Sequence, residues 1–183
     1  MEVKLLKTKG FVRWMQVFCL YRQAFPPAER KPFSRIRSGV KAGKSDLWTI
    51  LADGRFAGFA STVNGPRQVM LDYLATLPRL RGTGIGTRAL RLFLAQYPGK
   101  GVFVEIESPF AQAEDRELRL RRKAFYGACG LEPMGVTAMV FGVEMELLGK
   151  DCMLDYAAYH AFYRDNYSPW AAEHLAPLPY PEA

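Results

Sequence analysis

The chain has little cysteine, little histidine and no long hydrophobic run, and each shortage closes off a class of protein. Its three cysteines, Cys19, Cys129 and Cys152, are odd in number and widely spaced, with no CxxC pair. They read as free thiols of a reducing compartment, which excludes a disulfide framework and a cysteine-based zinc site. The two histidines, His160 and His174, stand alone on a late aromatic segment and read as structural. With no His/Cys/Asp cluster at ligand spacing, no metal is implied. No apolar stretch approaches a membrane span, and Met1-Glu2-Val3-Lys4-Leu5-Leu6-Lys7 holds no apolar core of signal-peptide length. A cytoplasmic protein with no membrane partner is the expectation.

Acidic charge is also short, with 18 Asp plus Glu against 25 Lys plus Arg and a net charge of +7. That balance suits an anionic ligand, a nucleic acid or simply a soluble basic surface. The basic stretch 30–44 shows neither a groove-reading helix nor stacking aromatics among its cations, so no nucleic-acid partner is expected. At 183 residues the chain is long enough for one domain with a real core.

The elements that are present follow from periodicity and turn residues. A strand at 3–7 precedes a helix in which Trp14, Phe18, Tyr21 and Phe25 recur at helical spacing, stopped by Pro26-Pro27. A shorter helix spans 33–40. Strands at 47–51 and 56–63 are joined by Asp53-Gly54, a hairpin signal, and Asn64-Gly65 turns into a strand at 69–77. A helix through Tyr97 carries Ile85, Ala89, Leu92 and Phe93 on one face. A strand at 102–107, a helix at 114–128 ended by Gly130, and strands at 135–141 and 143–148 follow. A helical aromatic tail covers 154–167, and 177–181 is extended or disordered. The order β-α-α-β-β-β-α-β-α-β-β defines an α/β (α+β) fold around one mixed, mostly antiparallel central sheet with helices on both faces.

Between the strand ending at Leu77-Pro78 and the helix from Arg88 lies Arg81-Gly82-Thr83-Gly84-Ile85-Gly86-Thr87. Three glycines in five positions allow a tight turn whose amides no Cβ shields. A glycine turn that opens a helix is an anion site, because the first-turn N–H groups lack partners and the helix dipole favours negative charge. The mid-chain position, and Thr87 where a dinucleotide fingerprint wants its last glycine, fit that fingerprint poorly. The Gly-Lys-Ser/Thr of a P-loop is absent.

The string Arg81-x-x-Gly84-x-Gly86 resembles motif A of the GNAT superfamily of acyl-CoA N-acyltransferases, and Phe125-Tyr126-Gly127-Ala128-Cys129-Gly130-Leu131 resembles its motif B. Two motifs and the element order agree over about residues 1–150. The resemblance implies an acetyltransferase domain at 1–150 and a helical, aromatic extension at 151–183 packed on the same domain. It departs where many members carry an Asn near the start of the motif B helix; here stands Leu118-Arg119-Leu120-Arg121-Arg122.

By that resemblance acetyl-CoA is the co-substrate and an amine the acceptor. Its pyrophosphate would sit on the amides of Gly82, Thr83, Gly84, Ile85, Gly86 and Thr87, with Arg81 closing the loop and the Thr87 hydroxyl donating. Its pantetheine arm would pair with the backbone of Leu74, Ala75, Thr76 and Leu77, and the Leu77 amide would polarise the thioester carbonyl. Arg122, with Arg79, Arg88, Arg119 and Lys123, either meets the nucleotide's 3′-phosphate or is a solvated surface charge.

The same resemblance implies that Tyr126 is the general acid. On a helix, Leu118, Phe125 and Cys129 form one stripe and Arg119, Arg122 and Tyr126 another. The tyrosine is therefore expected outside the core, on a cationic face that lowers its pKa from about 10. The alternative is a half-buried structural tyrosine.

The substrate ammonium needs a base. Alternation on the strand 102–107 puts Glu105 and Glu107 together with Phe103 on one face, the carboxylates about 6–7 Å apart. Glu105 and Glu107 are candidates as cleft-facing acids, and by the resemblance Glu29, in the loop after the first helix, is a third; a salt bridge with nearby Arg or Lys is the alternative for each. The acceptor, small molecule or peptide amine, stays open, as does a non-catalytic acyl-CoA-binding module. The protein is expected to be a monomer or homodimer. The rings of Tyr156, Tyr159, Phe162 and Tyr163 either cap their own sheet or form a dimer contact.

Overall fold

The computed structural model describes residues 1–181. They form two compact units, one of Met1–Asn64 with Leu71–Pro98, the other of Gly65–Met70 with the chain from Gly99 on. The architecture is mixed α/β with mostly antiparallel strands, as the element order implies. Among the described residues, no helix is long and apolar enough to cross a membrane.

The first unit holds β1 (Val3–Lys7), α1 (Phe11–Ala24), α2 (Phe33–Lys41), β2 (Leu47–Ala52), β3 (Arg55–Asn64), β4 (Gln68–Thr76, from Leu71 on) and α3 (Ile85–Leu94). The strands run in the order β1-β2-β3-β4, with β1–β2 and β2–β3 antiparallel. Asp53 and Gly54 both take positive φ, 46° and 77°, which is what a two-residue hairpin turn of the favoured hand requires. Ile50 faces Gly58 and Leu51 faces Phe56, so Ala57 is an extra, bulged residue. The bulge switches the face that β3 presents. Phe59 packs with Val17, Leu20, Tyr21 and Ile36 under α1 and α2, whereas Ala57 joins Ile50, Ile85 and Ala89 under α3. β4 serves both faces by simple alternation, Tyr73 and Ala75 on the first and Leu74 on the second.

α3 ends at Leu94 rather than running through Tyr97. Tyr97 instead turns in to donate to Asp46 (2.7 Å) and accept from the Trp48 indole (2.9 Å). Asp46 also takes Lys7 and the Asn64 amide. Burial alone would push its carboxyl up, but the Lys7, Tyr97 and Asn64 donors outweigh burial and hold it below the usual range. A depressed carboxyl stabilises the fold fully above its unfolded pKa of about 3.9, and that stability is lost as pH falls through the lower folded value. Asp46→Asn should therefore lower the urea midpoint at neutral pH. It should also flatten the fall in midpoint expected of the parent chain below about pH 4.

The second unit holds β5 (Gly101–Glu107), α4 (Arg116–Gly127), β6 (Glu132–Val140), β7 (Val143–Lys150), α5 (Tyr156–Phe162), α6 (Pro169–Ala172) and β8 (Leu175–Leu178). The order is β5-β7-β6-β8, and all three pairings are antiparallel. The stretch expected to be extended or disordered is in part a strand: β8 adds to β6 from Val140↔Leu175 to Thr137↔Leu178. A strand with a neighbour on one side only tolerates Pro177. The expected helix 154–167 is shorter, because the chain widens into a π-type turn at Tyr163–Tyr167. Phe103 of β5 meets Tyr159 (6.3 Å between ring centres) and Phe162 (4.9 Å), so the aromatic tail packs on its own unit.

α4 departs most from expectation. Leu118 is exposed and Tyr126 is buried, the reverse of the apolar-stripe reading. The inward face is polar: Arg119 and Arg122 pair with Glu107, and Lys123 pairs with the fully buried Glu146 of β7 (2.7 Å). Acids on the strands let a cationic helix face turn inward. The helix closes as a Schellman motif, with Leu131 N–H on the Tyr126 carbonyl, Gly130 N–H on the Gly127 carbonyl, and Gly130 at φ 86°.

Candidate active site

In the first unit, the chain leaves β4 at Thr76 and makes a short 3-10 turn at Pro78–Leu80 before the glycine loop. The Thr83 hydroxyl donates to the Leu80 carbonyl (2.6 Å) and pins the loop's middle, a contact the sequence reading missed because it looked for loop-closing groups only at Arg81 and Thr87. Arg81 is exposed, with its N–H on the Pro78 carbonyl (3.1 Å). Gly82 and Gly84 take φ 76° and 79°, and a Cβ at either would meet nothing within 4 Å. The glycines are thus required by the turn and leave the space over the loop open. Gly84 lies directly before α3, and the first bond of the helical ladder is Arg88 N–H to the Gly84 carbonyl (3.1 Å). The amides of Gly84, Ile85 and Gly86 precede that bond, at the positive end of a helix anchored by the fully buried Ile85. This is a cradle for a phosphate or pyrophosphate.

One expected role is overturned. The Leu77 N–H donates to the carbonyl of the bulged Ala57 (2.8 Å), and the Leu77 carbonyl accepts from Leu80 (2.9 Å). An N–H already spent on a backbone carbonyl cannot polarise a thioester. Glu29 ends a 3-10 turn (Pro27–Glu29) with its side chain exposed, and its carbonyl accepts from the Tyr73 hydroxyl (2.9 Å).

In the second unit, Tyr126 is 8% exposed, and burial pushes its phenol up to about 12 although Arg122 pulls it down. The expected cationic lowering is present but smaller than desolvation. Arg122, offered for the nucleotide phosphate, is held with Arg119 on Glu107. Glu107 thus takes the salt-bridge alternative. Glu105 accepts from Tyr159 (2.6 Å) and Tyr163 (3.0 Å) of the C-terminal segment. Glu105 lies 54 residues before Tyr159 and 58 before Tyr163, a pairing that local sequence pattern does not reveal. Among the described residues, no group of three or more His, Cys, Asp or Glu is placed to hold a metal ion.

Comparison with known proteins identifies the family and the fold. The model of the acetyltransferase (GNAT) family matches residues 14–130, and the chain belongs to that family. A GNAT-family protein from Bacteroides thetaiotaomicron is similar in structure at 20% identity, covering 90% of this chain and 97% of its own, with a TM-score of 0.73. An aminoglycoside 6′-N-acetyltransferase complexed with coenzyme A is similar at 18% identity, 82% and 96% coverage and a TM-score of 0.63. The ribosomal-protein-S18-alanine N-acetyltransferase from Escherichia coli follows at 13% identity, 84% and 96% coverage and a TM-score of 0.61. None of the curated proteins matches the chain in sequence.

Proposed function

We infer that this protein is an N-acetyltransferase that passes the acetyl group of acetyl-CoA to a primary amine, by direct attack within a ternary complex. The observation that carries the reading is the glycine loop, open at Gly82 and Gly84 directly before α3, in a chain of this family. Residues 1–150 are the acetyltransferase domain and 151–183 its extension. The similar solved proteins include one named for an aminoglycoside and one for a ribosomal-protein alanine, and one is complexed with coenzyme A. A small-molecule amine is the acceptor we assign, in the cytoplasm.

The roles we assign extend the family resemblance to this chain's own residues. The loop amides and Arg81 hold the pyrophosphate, and the backbone of Leu74, Ala75 and Thr76 pairs with the pantetheine arm. The acceptor ammonium loses a proton to Glu105, its nitrogen attacks the thioester carbonyl carbon, and the C–S bond breaks. The second nitrogen proton leaves to solvent as the thiolate takes one up. Tyr126 serves the departing sulfur. With its phenol at about 12, against about 8.5 for an ordinary thiol, it stays protonated and stabilises the thiolate chiefly as a hydrogen-bond donor. Glu29 is a lesser candidate base, on an exposed turn.

Tyr126→Phe removes that donor and little else. The expected result is a fall in kcat of about 10- to 100-fold, the value of one hydrogen bond to a charged group. Acetyl-CoA affinity, read by calorimetry, should change less than about twofold, since the bond forms as charge develops. Unchanged turnover and pH profile would remove Tyr126 from the mechanism.

A further inference from the structure

The outer face of α1 is apolar near its start, where a helix on a protein surface is ordinarily polar. The inner face carries the buried Val17, Leu20 and Tyr21. On the other side Phe11 is 79% exposed, Val12 65% and Met15 41%. Met15 follows Phe11 by four positions and Val12 by three, so the three side chains adjoin. Single apolar residues at a surface need no explanation, but three adjoining ones on one helix mark an interaction face. Side chains this open project from the protein and do not line a groove.

The surroundings are cationic. Residues 9–44, which hold α1 and α2, contain nine Lys and Arg and one acid, Glu29, a net +8 that exceeds the +7 of the whole chain. Lys9, Arg22, Arg35, Arg37, Lys41 and Lys44 are exposed. Phe33 sets α2 beside α1, its ring meeting Trp14 (6.0 Å) and Phe18 (5.1 Å), and one turn further on Arg37 lies over the Trp14 ring (5.7 Å). α2 thus runs toward the end of α1 that bears Phe11 and Val12. The apolar residues and the cations are separate in the sequence, and the fold brings them to one surface.

A basic surface suits nucleic acid, an acidic protein or an anionic bilayer. A single strand of nucleic acid binds such a surface by stacking its bases on free rings. Val12 and Met15 have no rings, and those of Trp14 and Phe18 are taken up by Phe33, Arg37 and Arg22, the last 5.7 Å from the Phe18 ring. A protein partner needs a contour matched to the projections. A bilayer deforms around projecting apolar side chains, and its lipid phosphates meet the cations, whose long stems let the charges reach the headgroups. Docking on a surface needs no membrane-spanning run.

We propose that the α1–α2 face docks on an anionic bilayer surface, with Phe11, Val12 and Met15 entering the headgroup layer and the cations of α2 on the lipid phosphates. This replaces the expectation that the chain has no membrane partner, and it is independent of the acetyl-transfer reading.

The test is vesicle flotation of the full chain, with phosphatidylcholine alone and with phosphatidylcholine carrying about one-third phosphatidylserine. The anionic vesicles should bind at least about tenfold more tightly than the neutral ones, and that preference should shrink as salt rises from about 0.05 M to about 0.3 M. Phe11→Ser with Val12→Ser should lower partition onto anionic vesicles about 10- to 100-fold, the value of two apolar side chains withdrawn from water. Arg35→Gln with Lys41→Gln and Lys44→Gln should lower it about 100-fold, roughly fivefold per cation. Both variants change exposed positions, so the melting midpoint and acetyl-CoA affinity should stay with the parent chain and control for folding. A single-stranded uridine oligonucleotide, followed by anisotropy, is the competing partner. No flotation with anionic vesicles, or no preference for them over neutral ones, overturns the proposal. Flotation that the serine variant leaves unchanged also overturns it, because charge alone then accounts for binding. Oligonucleotide binding tighter than vesicle binding, lost in the glutamine variant and unmoved in the serine variant, overturns it in favour of nucleic acid.

Discussion

Gly84→Val should weaken acetyl-CoA binding by about 10²- to 10⁴-fold, the loss of roughly two charge-assisted hydrogen bonds from backbone amides to phosphate. Gly84 sits at φ 79° and ψ 0°, a left-handed conformation directly before α3. A β-branched residue there is strained by about 1–3 kcal/mol and tends to leave that conformation. Rotation of the Gly84 peptide re-aims the amides of the helix's first turn. The added side chain also enters the space that Gly84 leaves open above the loop. Both consequences fall on the donor site. The buried Ile85, Ala89, Leu90 and Phe93 that anchor α3 are untouched. Calorimetry with acetyl-CoA measures the effect, and a urea midpoint separates it from unfolding. Affinity within about tenfold of the parent would mean that the loop amides are not the principal phosphate contacts.

Lys123→Met should destabilise the fold by about 3–5 kcal/mol, because it leaves a buried carboxylate without its counter-charge. Glu146 is completely buried on β7. Its Oε1 accepts from Lys123 and from the Tyr180 hydroxyl, both at 2.7 Å, and among the described residues its Oε2 has no partner. The pair also organises its surroundings: Lys123 lies over the Phe110 ring (4.8 Å) and Phe110 meets Tyr180 edge-on (5.8 Å). Replacing both members, Lys123→Met with Glu146→Met, should restore most of the loss, since an apolar pair of similar volume needs no desolvation of charge. Urea midpoints at constant m-value read both results. A double variant no more stable than the single would show that the cost lies in packing.

The features that were legible in the sequence are local ones. Gly82 and Gly84 announce a turn because both take positive φ, and Asp53-Gly54 announces a hairpin for the same reason. The Gly130 cap of α4 was readable on the same grounds. The features that were missed depend on partners distant in sequence. The inward face of α4 was read as apolar, but Arg119 and Lys123 turn in because Glu107 and Glu146, on strands well removed in sequence, receive them. Tyr126 is buried with them, so desolvation outweighs the nearby arginine. The Leu77 amide looked available because a bulge at Ala57, and the carbonyl it turns toward Leu77, leaves no mark in the pattern of β3. Glu105 was placed on the correct face of its strand by alternation, but its tyrosine partners lie beyond the stretch that carries the family motifs.

The central claim is that this chain moves an acetyl group from acetyl-CoA to an amine, and one measurement bears on it most directly. Acetyl-CoA and a panel of amines are mixed with the protein, and free thiol and acetylated amine are quantified together. Equal amounts of both products are expected, formed only when protein, acetyl-CoA and an amine are all present. Acetyl-CoA binding without amine-dependent thiol release across the panel would contradict it and leave an acyl-CoA-binding module in its place.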